Sequence, residues 1–329
     1  MTVPEGSSGE VAVTVDNVTQ TVPVKSGENT ITVPGVSEGE HEVKVVFKDN
    51  ETDKTKTFTE TITVFKSINA EKDLTRGWNS PYDYKAEFLD NEGHVLKDTE
   101  VQFIVNNKTY NVKTDSQGIA YLSELFDVGE YNITMVNPVT GATETATTTI
   151  VKRLIENKDI TLEFYDGTQY VVLAIGDDGK PVGAGEVVGF RVNGVDYNGI
   201  TGADGYAKLT INLNPKTYTL VAQYRAFKVS NKIVVKQTLK LAKKTITVKK
   251  GKNLVLKATL KWENGNAITG KKITFKFNGK SYVAKTDKKG VAKVTIKSKV
   301  TKKLKNGKTY VYSAKYITNS VKGKVKVKK

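Results

Sequence analysis

One signature recurs along this chain at nearly constant spacing, and that periodicity sets the architecture before any other feature is weighed. It consists of an acidic turn ending in Gly, a strand, an Asn-containing hairpin, a TDxxG-type turn and a late strand led by Tyr. The first-turn glycines Gly93, Gly179 and Gly265 are 86 residues apart both times, and the later glycines Gly118, Gly205 and Gly290 are separated by 87 and 85. A fold-sized unit of roughly 85 residues is therefore repeated. Its strands alternate apolar and polar residues, the pattern of a sheet with one buried face. In the last unit Leu254, Leu256, Ala258, Leu260 and Trp262 point one way and Lys257, Thr259 and Lys261 the other. Ile273, Phe275 and Phe277 alternate with Lys272, Thr274 and Lys276, and Tyr310, Tyr312, Ala314 and Tyr316 with Val311, Ser313 and Lys315. The second unit repeats this with Tyr84, Ala86 and Phe88, then Val101, Phe103 and Val105.

The turns have their own chemistry. Asn193-Gly194 and Asn278-Gly279 sit between alternating strands, where a two-residue type I′ hairpin needs φ > 0 at both positions. Asn106-Asn107 takes that place in the second unit. About seven short strands per unit, with turns every 8–12 residues, describe a Greek-key sandwich. Tyr131, Tyr218 and Tyr310 open a late strand, where immunoglobulin-like folds place a tyrosine corner. The expected fold class is all-β: tandem immunoglobulin-like Greek-key β-sandwiches. The expected domains are 1–66, 67–153, 154–237 and a lysine-rich 238–329. The first is short. Aligning Asn17 with Asn107 makes Val11 equivalent to Val101, which leaves no room for the first strands. It should hold fewer strands than the others, with a sheet edge exposed near Val11–Val15. Short linkers at 65–69, 152–156 and 236–240 would join the units into an elongated stalk of roughly 130–150 Å.

The absence of Cys excludes disulfide staples, thiol nucleophiles and cysteine-ligated zinc. No apolar run approaches the roughly 18 residues of a membrane span. Charge is distributed unevenly. Residues 238–329 contain 28 Lys, no Arg and two acids, Glu263 and Asp287, a net +26. The whole chain is +16, so residues 1–237 carry −10. Such an asymmetry concerns partners rather than fold.

The string GKKITFKFNGKSYVAKTDKKGVAKVTI (270–296) resembles the lysine-rich C-terminal repeats of adhesin-like surface proteins of methanogenic archaea. VPEGSSGEVAVTVDNVTQTVPVKSG (3–27) resembles their shorter repeat type. These are bacterial immunoglobulin-like repeats of invasin and intimin type, and the resemblance covers essentially the whole chain. It implies an exported, elongated protein that is extracellular, at the cell surface or in the cell wall. MTVPEGSSGE lacks the basic-then-apolar pattern of a secretory signal, so the chain is expected to be a fragment of such an exported protein.

No catalytic, cofactor or metal site is expected. His41 aligns with the corner tyrosines and reads as a structural aromatic, and His94 as a turn residue. The carboxylate pairs Asp177/Asp178 and Asp90/Glu92 lie in turns, where local side-chain-to-backbone bonds explain them. GAGEVVGF (183–190) opens a strand without a following helix, so it is no phosphate loop. Trp78, Tyr82 and Tyr84 could stack on a sugar, but core packing explains them better. Asn17, Asn50, Asn107 and Asn132 are candidate N-glycosylation acceptors. Between Gly290 and Tyr310 lie seven more residues than in the sister units, and this lysine-rich loop should project. Lys302, Lys303, Lys305 and Lys308 of that loop, supported by Lys271, Lys272, Lys288 and Lys289 from nearby turns, form the candidate surface for an anionic polymer. The expected function is therefore a cell-surface adhesin or stalk whose basic end meets anionic cell-wall polymer. The alternative is a module that binds a glycan, a host protein or a partner-cell surface through its loops. Nucleic acid fits less well, because the basic charge is all Lys and the first three units are acidic in sum.

Overall fold

A computed structural model describes residues 1–33 and 36–329. The chain is a tandem of all-β, immunoglobulin-like domains. It forms two compact units, Met1–Val151 with Asp177–Gly179, and Lys152–Gly176 with Lys180–Lys329.

The first repeat is one antiparallel sheet of β1 (Thr2–Val15), β2 (Val18–Glu28), β3 (Gly39–Asp49) and β4 (Thr55–Val64), in the order β2-β1-β3-β4. The second contains β5 (Ile68–Ala70), β6 (Leu74–Gly77), β7 (Tyr84–Phe88), β8 (Glu100–Val105), β9 (Lys108–Lys113), β10 (Ile119–Leu122), β11 (Gly129–Val136) and β12 (Thr143–Val151). The third contains β13 (Leu154–Ile155), β14 (Ile160–Glu163), β15 (Gln169–Ala174), β16 (Val187–Val192), β17 (Val195–Ile200), β18 (Tyr206–Thr210), β19 (Lys216–Tyr224) and β20 (Phe227–Lys236). The fourth contains β21 (Leu239–Leu241), β22 (Thr245–Lys249), β23 (Leu254–Leu260), β24 (Lys272–Phe277), β25 (Lys280–Lys285), β26 (Val291–Ile296), β27 (Thr309–Tyr316) and β28 (Asn319–Lys328), with one helical turn, α1 (Ser298–Thr301).

Each of the last three repeats pairs a three-stranded sheet with a five-stranded one, in the fourth β21-β23-β26 against β22-β28-β27-β24-β25. Each thus has eight strands among the described residues where about seven were expected, because the opening segment serves both sheets. β21 pairs antiparallel with β23, and β22 crosses over to pair parallel with β28. The segments expected to be linkers do not lie free: Ile68, Leu154 and Leu239 within them are buried and begin β5, β13 and β21. The cores follow the alternation read from the sequence. Leu254, Leu256, Ala258 and Leu260 of one sheet pack with Ile273, Phe275, Phe277, Tyr312 and Ala314 of the other, all at most 1% exposed. Trp262 is only half-buried. Fully burying a side chain of this kind stabilises by about 1.5–3 kcal/mol. The third and fourth repeats touch directly. Phe164 packs edge-on against Tyr316, and the Glu263 N–H donates to the Glu163 carboxylate at 2.8 Å.

The expected edge at Val11–Val15 is not there. β1 is central, with Val11 paired to Val22 on one side and to Phe47 on the other. The alignment itself holds, since β1–β4 reproduce the connectivity of β8, β9, β11 and β12. What the first repeat lacks, among the described residues, is the three-stranded sheet and the parallel strand, so the open edge falls on β4.

Turn chemistry fixes the repeats. Asn193 and Gly194 have φ of 53° and 77°, Asn278 and Gly279 46° and 75°, and Asn106 and Asn107 51° and 63°, as type I′ hairpins require. At the TDxxG turn a buried threonine ties two loops together. The Thr286 hydroxyl donates to the Ile268 carbonyl at 2.7 Å and accepts the Lys271 N–H at 2.9 Å. Thr114 and Thr201 make the same pair of bonds in the second and third repeats. Asp287 accepts the N–H groups of Val291 and Lys289, which hold its carboxyl below the usual range.

The corner positions also repeat. The Tyr131 hydroxyl donates to the Asp127 carbonyl, the Tyr218 hydroxyl to Asn214, and His41 Nε2 to Ser37, each four residues back. In the first repeat an imidazole therefore does the work of a phenol. Tyr310 departs from this, because its hydroxyl accepts the Lys305 N–H of the inserted loop. His41 Nδ1 also lies 2.8 Å from the Asp16 carboxylate. Both ring nitrogens thus face acceptors, first Asp16 and then the Ser37 carbonyl, which favours the doubly protonated ring and raises its pKa above 6.5. A raised folded pKa gives stability that is full below the unfolded value and lost as pH rises through the folded one. The first repeat is expected to melt at lower temperature at about pH 8 than at about pH 6, a difference that His41→Tyr should remove. Thermal melts followed by hydrogen exchange of residues 1–64 would check this.

Candidate polyanion-binding surface

All 28 lysines of residues 238–329 are exposed. Among the described residues none of them makes an ion pair. Glu263 is engaged by Lys236 of the preceding repeat, and Asp287 by backbone N–H groups. The sheet register sets like charges opposite one another: Lys257 against Lys293, Lys272 against Lys285, and Lys249 against Lys328. Cross-strand pairs of like charge destabilise a sheet, and self-repulsion across the whole repeat adds to this unless counter-charge is supplied.

The inserted loop does not project as a free arm. Its turn α1 is held by the Ser298 N–H bonding to the Asn253 side chain at 2.8 Å, and by the Thr301 hydroxyl donating to the Lys252 carbonyl at 2.7 Å. Thr301 and Leu304 are buried, Leu304 within the core of the repeat. Apolar and hydrogen-bonding residues thus pin the loop, while Lys302, Lys303, Lys305 and Lys308 between them face solvent. Backbone bonds from Gly307 N–H to the Val327 carbonyl and from Val327 N–H to the Lys308 carbonyl zip the loop to the end of β28. Lys250 N–H bonds to the Lys328 carbonyl at the same end. The four loop lysines are therefore joined by Lys249, Lys250, Lys252, Lys326 and Lys328. Sequence reading missed these, because only the parallel β22–β28 pairing brings them there.

The other four candidates do not join this group. β24 runs antiparallel to β27, with Phe277 opposite Tyr312 and Thr274 opposite Lys315, so Lys271 and Lys272 lie at the far end of the sheet from the loop before Thr309. Lys288 and Lys289 sit with them, since the Thr286 N–H bonds to the Lys271 carbonyl. The turns expected to be near the loop are thus at the opposite end of the sandwich, roughly 20 Å away at the rise of a strand.

The remaining candidates are placed individually. Asn17, Asn50, Asn107 and Asn132 are all exposed, and Asn132 accepts a bond from the Thr147 hydroxyl. Tyr84 is core, with its hydroxyl on the Glu71 carbonyl, whereas Tyr82 is exposed beside a hollow of about 30 Å³. That volume is about one water molecule's and admits no sugar ring. Donor atoms of Asp90, Glu92 and His94 lie within 4.8 Å of one another. Asp90 is already bonded to the N–H groups of Glu92 and His94, the first-turn role its position predicts.

No protein-family model matches the chain, and no curated protein matches it. Among solved structures, the I9–I11 tandem of titin is similar at 15% identity and a TM-score of 0.39, over 81% of this chain and 98% of that one. The Ca²⁺-stabilised adhesin with which an Antarctic bacterium binds ice is similar at 13% identity and a TM-score of 0.21, over 98% of this chain and 91% of that one. Domains 1–6 of the surface layer protein SbsC are similar at 17% identity and a TM-score of 0.21, over 97% of this chain and 50% of that one.

Proposed function

We propose that this chain is part of a cell-surface adhesin-like stalk, of the archaeal kind its sequence resembles, and that its fourth repeat anchors it to anionic cell-wall polymer. Its four domains are 1–66, 67–153, 154–237 and 238–329. The protein acts outside the cell and catalyses no reaction. One observation carries the reading: a repeat of +26 with every lysine exposed and like charges set opposite one another in its sheets. A polyanion laid on that surface relieves the repulsion as it binds. Many separate ammonium groups suit a flexible polyanion because each acts as a point charge without strict geometry. The densest group, at the insertion end of the sandwich, is the principal contact.

Binding of the full chain to purified anionic wall polymer, and to an uncharged glycan of similar length, tests this across a salt series. Exposed contacts are screened over about 8–10 Å at physiological salt. Affinity for the polyanion should fall steeply as salt rises, and the uncharged glycan should not bind. Salt-independent binding, or equal binding of both polymers, would favour recognition through the domain loops instead.

A further inference from the structure

In the second, third and fourth repeats the last strand is covered along its outer side by a parallel strand, β6 on β12, β14 on β20 and β22 on β28. No such strand covers β4 among the described residues, so the first repeat offers an open row of N–H and C=O groups along Thr55–Val64. An uncovered edge of this length is a template for another strand. The edge is also apolar where a solvated one would not be. Phe58 is 59% exposed and Ile62 38%, although the register with β3 puts Phe58 beside Val45 and Ile62 beside His41 on the core side of the sheet.

The sequence of this edge complements itself. Read antiparallel about Phe58, the run TKTFTET sets Thr57 opposite Thr59, Lys56 opposite Glu60 and Thr55 opposite Thr61. We propose that two copies of this chain associate through β4, antiparallel about Phe58, to form one continuous sheet across both first repeats. The opposite charges meet twice, Lys56 of each copy facing Glu60 of the other. Self-complementarity of this kind is what a two-fold interface requires.

The backbone parity agrees. The bond from Asp49 N–H to the Lys54 carbonyl makes 49 and 54 a hydrogen-bonded pair in the register that continues through β3 and β4. By alternation Lys56, Phe58 and Glu60 turn their backbone groups toward β3, and Thr55, Thr57, Thr59 and Thr61 turn theirs outward. Thr57 of one copy and Thr59 of the other can then exchange both N–H···O=C bonds. The two Phe58 rings meet at the non-hydrogen-bonded position between them, where cross-strand side chains come closest.

Sedimentation equilibrium of the full chain, from micromolar to millimolar concentration, tests this with three proteins. The unaltered chain should form a dimer. K56E sets two carboxylates opposite each other on both sides of the axis and should weaken the dimer about tenfold or more. K56E/E60K restores opposite charges and should restore the dimer. Residues 56 and 60 are exposed, so circular dichroism of the three proteins should be the same. The chain has no Cys, so a single introduced thiol reports the register. Under mild oxidation F58C should cross-link two copies and I62C should not. A monomer at every concentration would overturn the proposal, whether a foreign strand or nothing takes the edge. So would a K56E dimer as tight as the unaltered one, a double variant that fails to recover, or cross-linking through I62C rather than F58C.

Discussion

Phe275→Ala is expected to destabilise the fourth repeat by about 3–5 kcal/mol, the largest effect of any single substitution considered for this chain. Phe275 is fully buried in β24, opposite Tyr282 on one side and Ala314 on the other, and faces the leucines of β23. Truncation removes its transfer free energy and leaves a cavity that the flanking strands, fixed by their ladders, close only in part. A domain of this size is stable by about 5–15 kcal/mol in total, and the charge repulsion described above holds this one toward the lower end. At low salt the substitution should therefore unfold residues 238–329 while the core of the second repeat, built on Phe88 and Phe103, stays folded. Hydrogen exchange resolved by segment, at low and high salt, checks this. Uniform loss of protection along the chain would mean that the repeats do not unfold separately.

Gly290→Ala should cost about 3 kcal/mol through a different mechanism. Gly290 has φ +73°, and a Cβ there would lie 2.5 Å from the Leu260 carbonyl oxygen, too close for any real contact. The Gly290 carbonyl in turn accepts the Leu260 N–H, so this close approach joins β23 to the turn before β26. Gly118 and Gly205 repeat the arrangement, with carbonyl oxygens of Phe88 and Val182 at 3.0 and 2.9 Å from the added Cβ. Gly265→Ala is the control, since a Cβ there meets nothing within 4 Å and costs only the positive φ. Denaturant melts should place Gly290→Ala well below Gly265→Ala. Equal midpoints would mean that the loop moves aside.

Those glycines show what the sequence could reveal. Their spacing, the Asn-Gly hairpins and the period-2 strands are local features, and each corresponds to a local backbone requirement that the structure meets. His41 was legible for the same reason, as it stands at the corner register and keeps the bond to the carbonyl four residues back. What stayed hidden depends on pairing between distant segments. The exposed edge was assigned to Val11–Val15 on the count of missing strands, but which neighbour a missing strand leaves uncovered is a matter of sheet order, and the strand lost was the partner of β4. The lysines at 271, 272, 288 and 289 carry the same charge as those of the loop, and only the antiparallel run of β24 against β27 shows that they lie at the opposite end. Thr286 is unremarkable in sequence, and its two bonds appear only when the turns at 268–271 and 286 meet.

The central claim, that the insertion end of the fourth repeat is the polyanion surface, is tested most directly by moving the same amount of charge at its two ends. Two full-chain variants each reverse four exposed lysines: K302E/K303E/K305E/K308E at the insertion end, and K271E/K272E/K288E/K289E at the other. Their net charges are identical, so any difference in binding to anionic wall polymer at one salt concentration reports position rather than total charge. The account predicts that the first variant loses most of the affinity and much of its salt dependence, and that the second keeps most of both. Equal losses from the two variants would contradict it, reducing the lysines to a diffuse charge with no surface of their own.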